Sequence, residues 1–186
     1  MIKHREFWNG RQGLDNIKPK RTGDNWESFN AVKLVEELCG RGCVNDIGCG
    51  TGRMSQAFAK RDYYGYDVNP AAIEIAREAF QCEFHVLKTY EDIEPSEILL
   101  LHSAGLHIPD EELRVLADLT DSRIVVGETM HGHTSVKPDP KPGLATHYSR
   151  SAEDYAGIFA DFELTKTVRK TDTYSRKQFT YLVFDR

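Results

Sequence analysis

The sequence predicts an α/β protein: a single doubly wound, mostly parallel sheet with helices on both faces and an antiparallel C-terminal edge strand. Three observations carry this. Short apolar runs of strand length alternate five times with segments of helical character, the order that produces parallel crossovers. The first of those strands runs into Gly48-Cys49-Gly50-Thr51-Gly52, whose glycines permit a tight strand-to-helix turn with its backbone open to a ligand. The chain closes on two β-rich runs joined by a polar turn, which reads as an antiparallel pair.

Each element has its own signal. Residues 9–25, rich in Gly, Asn, Lys and Pro, read as an irregular arm, so the chain divides into an N-terminal arm or lid (1–25) and one domain (26–186). From Trp26 to Leu38 the apolar residues Trp26, Phe29, Ala31, Val32, Val35 and Leu38 recur at three-to-four spacing, which predicts a helix. A buried strand, Cys43 to Ile47, is followed by a predicted helix from Gly52 to Lys60 with Met54, Ala57 and Phe58 inward. Tyr63 to Asp67 is a second strand, and Asn69-Pro70 opens a helix that runs to Phe80. Cys82 to Leu87 is the third strand, and Glu97 to His102, with Ile98-Leu99-Leu100-Leu101, a fully buried fourth. Asp110 is expected to cap a helix over 111–119, before a fifth strand from Arg123 to Glu128. Residues 131–148 form a long loop with three prolines. Ser151-x-x-Asp154 resembles a capping box opening a helix to about Ala160. Strands Glu163–Val168 and Gln178–Phe184 flank a turn at Asp172–Lys177.

Composition narrows the function classes. A length of 186 residues at 40% hydrophobic content suits one globular domain. No apolar run has membrane-spanning length, and Met1–Glu6 is too polar for a secretory signal. Cys39, Cys43, Cys49 and Cys82 show no paired framework, so they are expected to be reduced thiols in an intracellular, cytoplasmic protein. A zinc site from Cys39, Cys43 and Cys49 would lack the usual C-x2-C knuckle, and no metal is predicted. The net charge of −5 argues against a general nucleic-acid binder. Residues 1–23 and 163–186 are nonetheless basic, at +4 and +3, over a middle of −12. The ends are either solvated or a patch for an anionic partner.

The acid before the glycines selects the ligand. A dinucleotide would set its pyrophosphate on the next helix N-terminus, where Asp46 would repel it. A ligand carrying an ammonium and a sulfonium would be attracted, and S-adenosylmethionine is such a ligand.

From Trp26 onward the arrangement resembles the class I S-adenosylmethionine-dependent methyltransferases, whose sheet is Rossmann-like. Asp46-Ile47-Gly48-Cys49-Gly50-Thr51-Gly52 looks like the family's first motif, and Tyr66-Asp67-Val68-Asn69 matches its second. The resemblance implies that Asp67 accepts hydrogen bonds from both ribose hydroxyls, which suits an ionised carboxylate facing a vicinal diol. It also implies backbone contacts to the methionine part from Gly48, Cys49 and Gly50, with Gly52 and Arg53 completing the loop. Asp46 would hold the ammonium, directly or through water, and Val68 would pack on the adenine. Relatives place an acid after the third strand; here the segment is Leu87-Lys88-Thr89-Tyr90, with Thr89 or Tyr90 left to contact adenine. After the fourth strand the Asp/Asn-Pro-Pro-aromatic motif of DNA amino-methyltransferases is absent, as is a Pro-Cys nucleophile.

The predicted activity is therefore methyl transfer from S-adenosylmethionine, most readily to a small molecule. A nucleic-acid or protein acceptor and a non-catalytic donor-binding subunit stay open. Ligands of an open α/β sheet lie beyond the carboxyl ends of the strands. His102 and Ser103 fall at the end of the fourth strand; Glu128, His131 and His133 fall at or beyond the end of the fifth. His102 is expected to line the donor, and His107, His131 and His133 are the candidate general bases. His131-Gly132-His133 also reads as two metal ligands without a third. Trp8 is a candidate cation–π partner for the sulfonium or a hydrophobic plug, and Tyr148 and Arg150 are candidate acceptor contacts.

Overall fold

The computed structural model describes residues 5–10, 13–15, 30–130, 135–137, 147–171 and 178–186. Helices α1 (Arg5–Asn9) and α2 (Ala31–Cys39) precede β1 (Val44–Ile47) and β2 (Tyr63–Asp67). Then follow α3 (Pro70–Ala79), β3 (Glu83–Val86), β4 (Ser96–His102), α4 (Asp110–Ala117) and β5 (Thr120–Glu128). A short ribbon, β6 (Ser135–Lys137) with β7 (His147–Ser149), leads to α5 (Ala152–Ile158), β8 (Glu163–Thr171) and β9 (Gln178–Asp185).

Seven strands form one sheet in the order β3-β2-β1-β4-β5-β9-β8. Strands β1 to β5 pair in parallel, as their alternation with helical segments predicts. The antiparallel strand comes at the C-terminal end of the chain, as expected, but β9 inserts between β5 and β8 and pairs antiparallel with both. The order reverses between β1 and β4, and this switch point opens a crevice over the strand ends.

Both faces of the sheet are covered. On one, Ala31, Val35 and Leu38 of α2 pack with Val44, Tyr63, Leu100, Val125 and Tyr181. On the other, Leu113, Leu116, Tyr155 and Phe159 pack with Ile47, Leu99, Leu101, Val126 and Leu182. The four apolar residues Ile98 to Leu101 are each at most 2% exposed, so β4 is the buried centre its sequence predicts. Arg123 fastens the rear of the sheet, donating to the Asp185 carboxylate at 2.6 Å and to the last carbonyls of α2, Leu38 and Cys39.

Two expectations change. The Gly52–Lys60 helix is a five-residue 3-10 turn, Arg53–Ala57. Gly52 enters it left-handed at φ +82° and Ser55 Oγ donates to the Gly52 carbonyl at 2.7 Å, competing with the helical ladder. Phe58 then turns extended and its ring stacks on Tyr63. Asp110 does not cap α4: Pro109 holds that position, and the carboxylate pairs with Arg150 instead. Helix α2 starts at Ala31, capped by Asn30 Oδ1 accepting from the Lys33 amide at 3.0 Å; the predicted start at Trp26 lies outside the described residues. The Ser151–Asp154 capping box forms with both reciprocal bonds.

Candidate functional site

The carboxyl ends of β1, β2, β4 and β5 gather most of the residues singled out from the sequence. The glycine loop leaves β1 with Gly48, Gly50 and Gly52 at φ of +75°, +56° and +82°, conformations that L side chains rarely adopt. The Gly48 and Cys49 amides both donate to the Tyr66 carbonyl, at 2.7 and 3.1 Å, folding the loop back over β2. A Cβ on Gly48 would lie 2.5 Å from that of Ala104. The loop therefore rests directly on the turn after β4. Cys49 is partly enclosed, and burial, with Asp67 and Asp46 nearby, pushes its thiol well above the usual range, so it is an inert packing group.

Asp67, at the end of β2, is 5% exposed. Its Oδ2 accepts from the Gly50 amide at 2.9 Å and its Oδ1 from the Asn69 amide at 2.8 Å. Burial raises its pKa while those two amides act against the rise. Each carboxylate oxygen has a further lone pair, so the acid can brace the loop and still accept from a diol. Val68 packs against the cluster around Tyr66 and Leu87. Thr89 closes a local capping box: its Oγ1 accepts from the Glu91 amide at 3.0 Å and its own amide donates to Asp92. Tyr90 reaches from the same turn to Glu112 at 2.7 Å.

Asp46 lies beneath the loop rather than at its surface. It is 1% exposed and accepts from the Tyr63 hydroxyl at 2.6 Å. Burial raises its pKa to about 7, against the Tyr63 hydrogen bond; the Asp67 charge adds to the rise and Arg53 opposes it. His102 is held neutral, its pKa lowered to about 3 by burial and by the Arg53 charge, with Nε2 2.9 Å from the Tyr181 hydroxyl. Arg53 thus carries positive charge to the region shared by Asp46 and His102. Next to His102, Ser103 is the one described non-glycine residue with a positive φ, +59°, which places a strained backbone at the end of β4.

A cluster of rings forms around His107. Its ring lies 4.5 Å from Trp8 of α1 and 4.7 Å from His147 of β7, both edge-on. Asn69 holds the arm in place, its Nδ2 donating to the carbonyls of Trp8 and Gly10. The same side chain caps α3 through Oδ1, at 3.0 Å to the Ala71 amide and 3.1 Å to Ala72. Asn69 therefore links the Asp67 corner to the arm, a use that its reading as a helix opener did not show. His131, His133 and the proline loop lie outside the described residues. No group of three metal-ligating side chains occurs among the described residues.

Arg150 is a structural residue, contrary to the expectation that it faces an acceptor. It is 4% exposed, and its guanidinium donates to the carbonyls of Gly105 (2.8 Å) and Ile108 (2.7 Å) and to Asp110 (2.6 and 3.0 Å). All three of its nitrogens are engaged.

Two buried carboxyls shape the pH response. Burial raises Glu128 to about 8, while the amides of Leu106, Gly105 and Ala104 and the Arg150 charge favour the anion. Like Asp46, it holds its proton more tightly folded than unfolded. Stability from this source is complete below the ordinary carboxyl range and is lost as pH rises through about 7 for Asp46 and about 8 for Glu128. Thermal midpoints should therefore fall between about pH 5 and 8, less steeply in Glu128→Gln; parallel slopes for the two proteins would contradict this.

Residues 44–121 match the family model of a methyltransferase domain. No protein of curated function matches the chain in sequence. Among solved structures, magnesium protoporphyrin IX methyltransferase from Synechocystis PCC 6803 with bound SAH is similar at a TM-score of 0.68 and 21% identity, over 98% of this chain and 97% of that one. A SAM-dependent methyltransferase from Methanosarcina mazei is similar at 0.62 and 15%, over 82% and 96%. The 1,6-didemethyltoxoflavin-N1-methyltransferase of Burkholderia thailandensis, bound to 1,6-didemethyltoxoflavin and S-adenosylhomocysteine, is similar at 0.60 and 13%, over 84% and 76%. The fold is that of the class I S-adenosylmethionine-dependent methyltransferases, as the sequence motifs imply.

Proposed function

We propose that this chain, built on the class I methyltransferase fold, transfers a methyl group from S-adenosylmethionine to a small-molecule acceptor. The observation that carries the reading is the Asp67 carboxylate, which braces the Gly50 amide beside the switch point of the sheet and retains lone pairs for a diol. The magnesium protoporphyrin and didemethyltoxoflavin enzymes, both of similar fold, support a small-molecule acceptor.

When bound, the donor supplies an activated methyl group, because its leaving group is a neutral thioether. The chain has to orient it, exclude water and bring the acceptor into line, which can be worth roughly 7–11 kcal/mol. Asp67 holds the ribose, and the amides of Gly48 to Gly50 line the methionine part. Asp46 supports the loop from below, its charge answering the ammonium without surface contact. Val68 and the Thr89 turn flank the adenine. His102, neutral and tied to Tyr181, lines the donor side. His107, framed by Trp8 and His147, faces the acceptor and accepts its proton where one must be lost. Arm and ribbon together exclude water.

Titration calorimetry with S-adenosylmethionine, S-adenosylhomocysteine and NAD tests the reading. Both methionine-derived ligands should bind and NAD should not. At about a hundred times the dissociation constant they should stabilise the chain by about 2.7 kcal/mol. Consumption of S-adenosylmethionine with one member of a panel of hydroxyl- and amine-bearing small molecules would identify the acceptor. A folded chain that binds neither ligand would refute the reading.

A further inference from the structure

The turn after β4 is held by two buried polar groups, a guanidinium and a carboxyl. Arg150 grips its carbonyls, those of Gly105 and Ile108. Glu128, at the end of β5 and 2% exposed, grips its amides: Oε1 accepts from Leu106 at 3.2 Å, and the amides of Gly105 and Ala104 also favour the carboxylate. A Cβ on Gly105 would lie 3.0 Å from the Tyr155 hydroxyl and 3.2 Å from Glu128 Oε1, so the turn lies close against the carboxyl and an added methyl would push the two apart by a few tenths of an ångström. Glu128 Oε2 has no hydrogen-bond partner among the described residues. A carboxyl kept under these conditions does more than fill space, since an apolar side chain would pack there without an orphaned oxygen.

We propose that Glu128 is a positioning residue: it pulls the turn down by its amides and so fixes the His107 ring between Trp8 and His147. The inference rests on reading His107 as the acceptor-side histidine, one residue beyond the Leu106 amide that Glu128 holds. Arg150 and Tyr155 are the ionisable groups that face the carboxyl. Arg150 holds the turn by its carbonyls, at Gly105 and Ile108, which leaves its amides to Glu128.

The test compares the intact chain with Glu128→Gln, which keeps an acceptor oxygen, and Glu128→Ala, which does not. The readouts are the ring resonances of His107 and the exchange rate of the Leu106 amide proton, with His85 on β3 as the remote control. Glu128→Ala should shift the His107 signals and speed Leu106 exchange at least tenfold, Glu128→Gln should restore both, and His85 should stay unchanged. Gly105→Ala, which lifts the turn off an intact carboxyl, should reproduce the alanine result and stands in for it if Glu128→Ala does not fold. Unchanged His107 signals in the folded variants, or equal changes at His85, would overturn the proposal. Calorimetry with S-adenosylhomocysteine runs beside it: loss of binding in the unaltered chain would refute the methyltransferase reading and leave the His107 result intact.

Discussion

Replacing Asp67 with alanine is expected to raise the dissociation constant for S-adenosylhomocysteine by about a hundredfold or more. A carboxylate accepting from two ribose hydroxyls makes two charge-assisted hydrogen bonds, each worth about 1.5–3 kcal/mol. Their joint loss corresponds to a factor of roughly 10² to 10⁴. The substitution also frees the Gly50 and Asn69 amides that Asp67 now satisfies, so the glycine loop loses its brace and the Asn69 side chain a fixed base from which to hold Trp8. Asp67→Asn separates these effects, because one amide oxygen still accepts while the charge is gone; its affinity should fall between the other two proteins. Calorimetry below the unfolding range of each variant checks this, and an alanine variant binding within threefold of the unaltered chain would remove Asp67 from the donor site.

Much of the sheet was legible in the sequence because its strands are short apolar runs bounded by glycine, proline or acid. The run Ile98 to Leu101 is apolar at every position and is buried at every position, as a central strand covered on both faces requires. The glycine loop was legible for a different reason: the turn needs positive φ at Gly48, Gly50 and Gly52, and only glycine supplies it freely, while Asp67 stood out through the resemblance of Tyr66-Asp67-Val68-Asn69 to a family motif. What local pattern could not show are pairings between distant residues. Asp110 reads as a helix cap until Arg150, forty positions on, claims its carboxylate. Arg150 reads as an acceptor contact until three carbonyl and carboxylate partners surround it. Glu128 was visible as an acid at a strand end, but its burial is made by Tyr155 and the turn at Gly105, neither adjacent in sequence. The 3-10 turn at Arg53–Ala57 was missed because apolar spacing does not register the Ser55 hydroxyl bonding back to Gly52.

The contacts converge on the turn from Ser103 to Ile108, which touches every part of the site. Ala104 supports the glycine loop, Leu106 and Gly105 meet Glu128, the carbonyls of Gly105 and Ile108 meet Arg150, and His107 meets the arm and the ribbon. The glycine loop and the rings around His107 therefore share one short segment, and a displacement on one side is transmitted to the other by direct contact.

Gly48→Ala should expose that coupling and cause the largest loss of stability of the substitutions considered. A left-handed alanine costs about 1–2 kcal/mol, and forcing a methyl into filled space about 1–3 kcal/mol more. The new Cβ would meet that of Ala104 at 2.5 Å; neither methyl can rotate away, so the loop and the turn must part. A total of about 2–5 kcal/mol should lower the thermal midpoint by roughly 4–20 °C in a chain of this size. Donor affinity should fall as well, because the Gly48 and Cys49 amides are carried off the Tyr66 carbonyl that aligns them. Gly157→Ala is the matched control. It lies in α5 with nothing within 4 Å of the added carbon, so it should be neutral or raise stability by about 0.5–1 kcal/mol. If Gly48→Ala unfolds within two degrees of the unaltered chain, the loop does not rest on the turn, and the donor and acceptor sides are not coupled through Ala104.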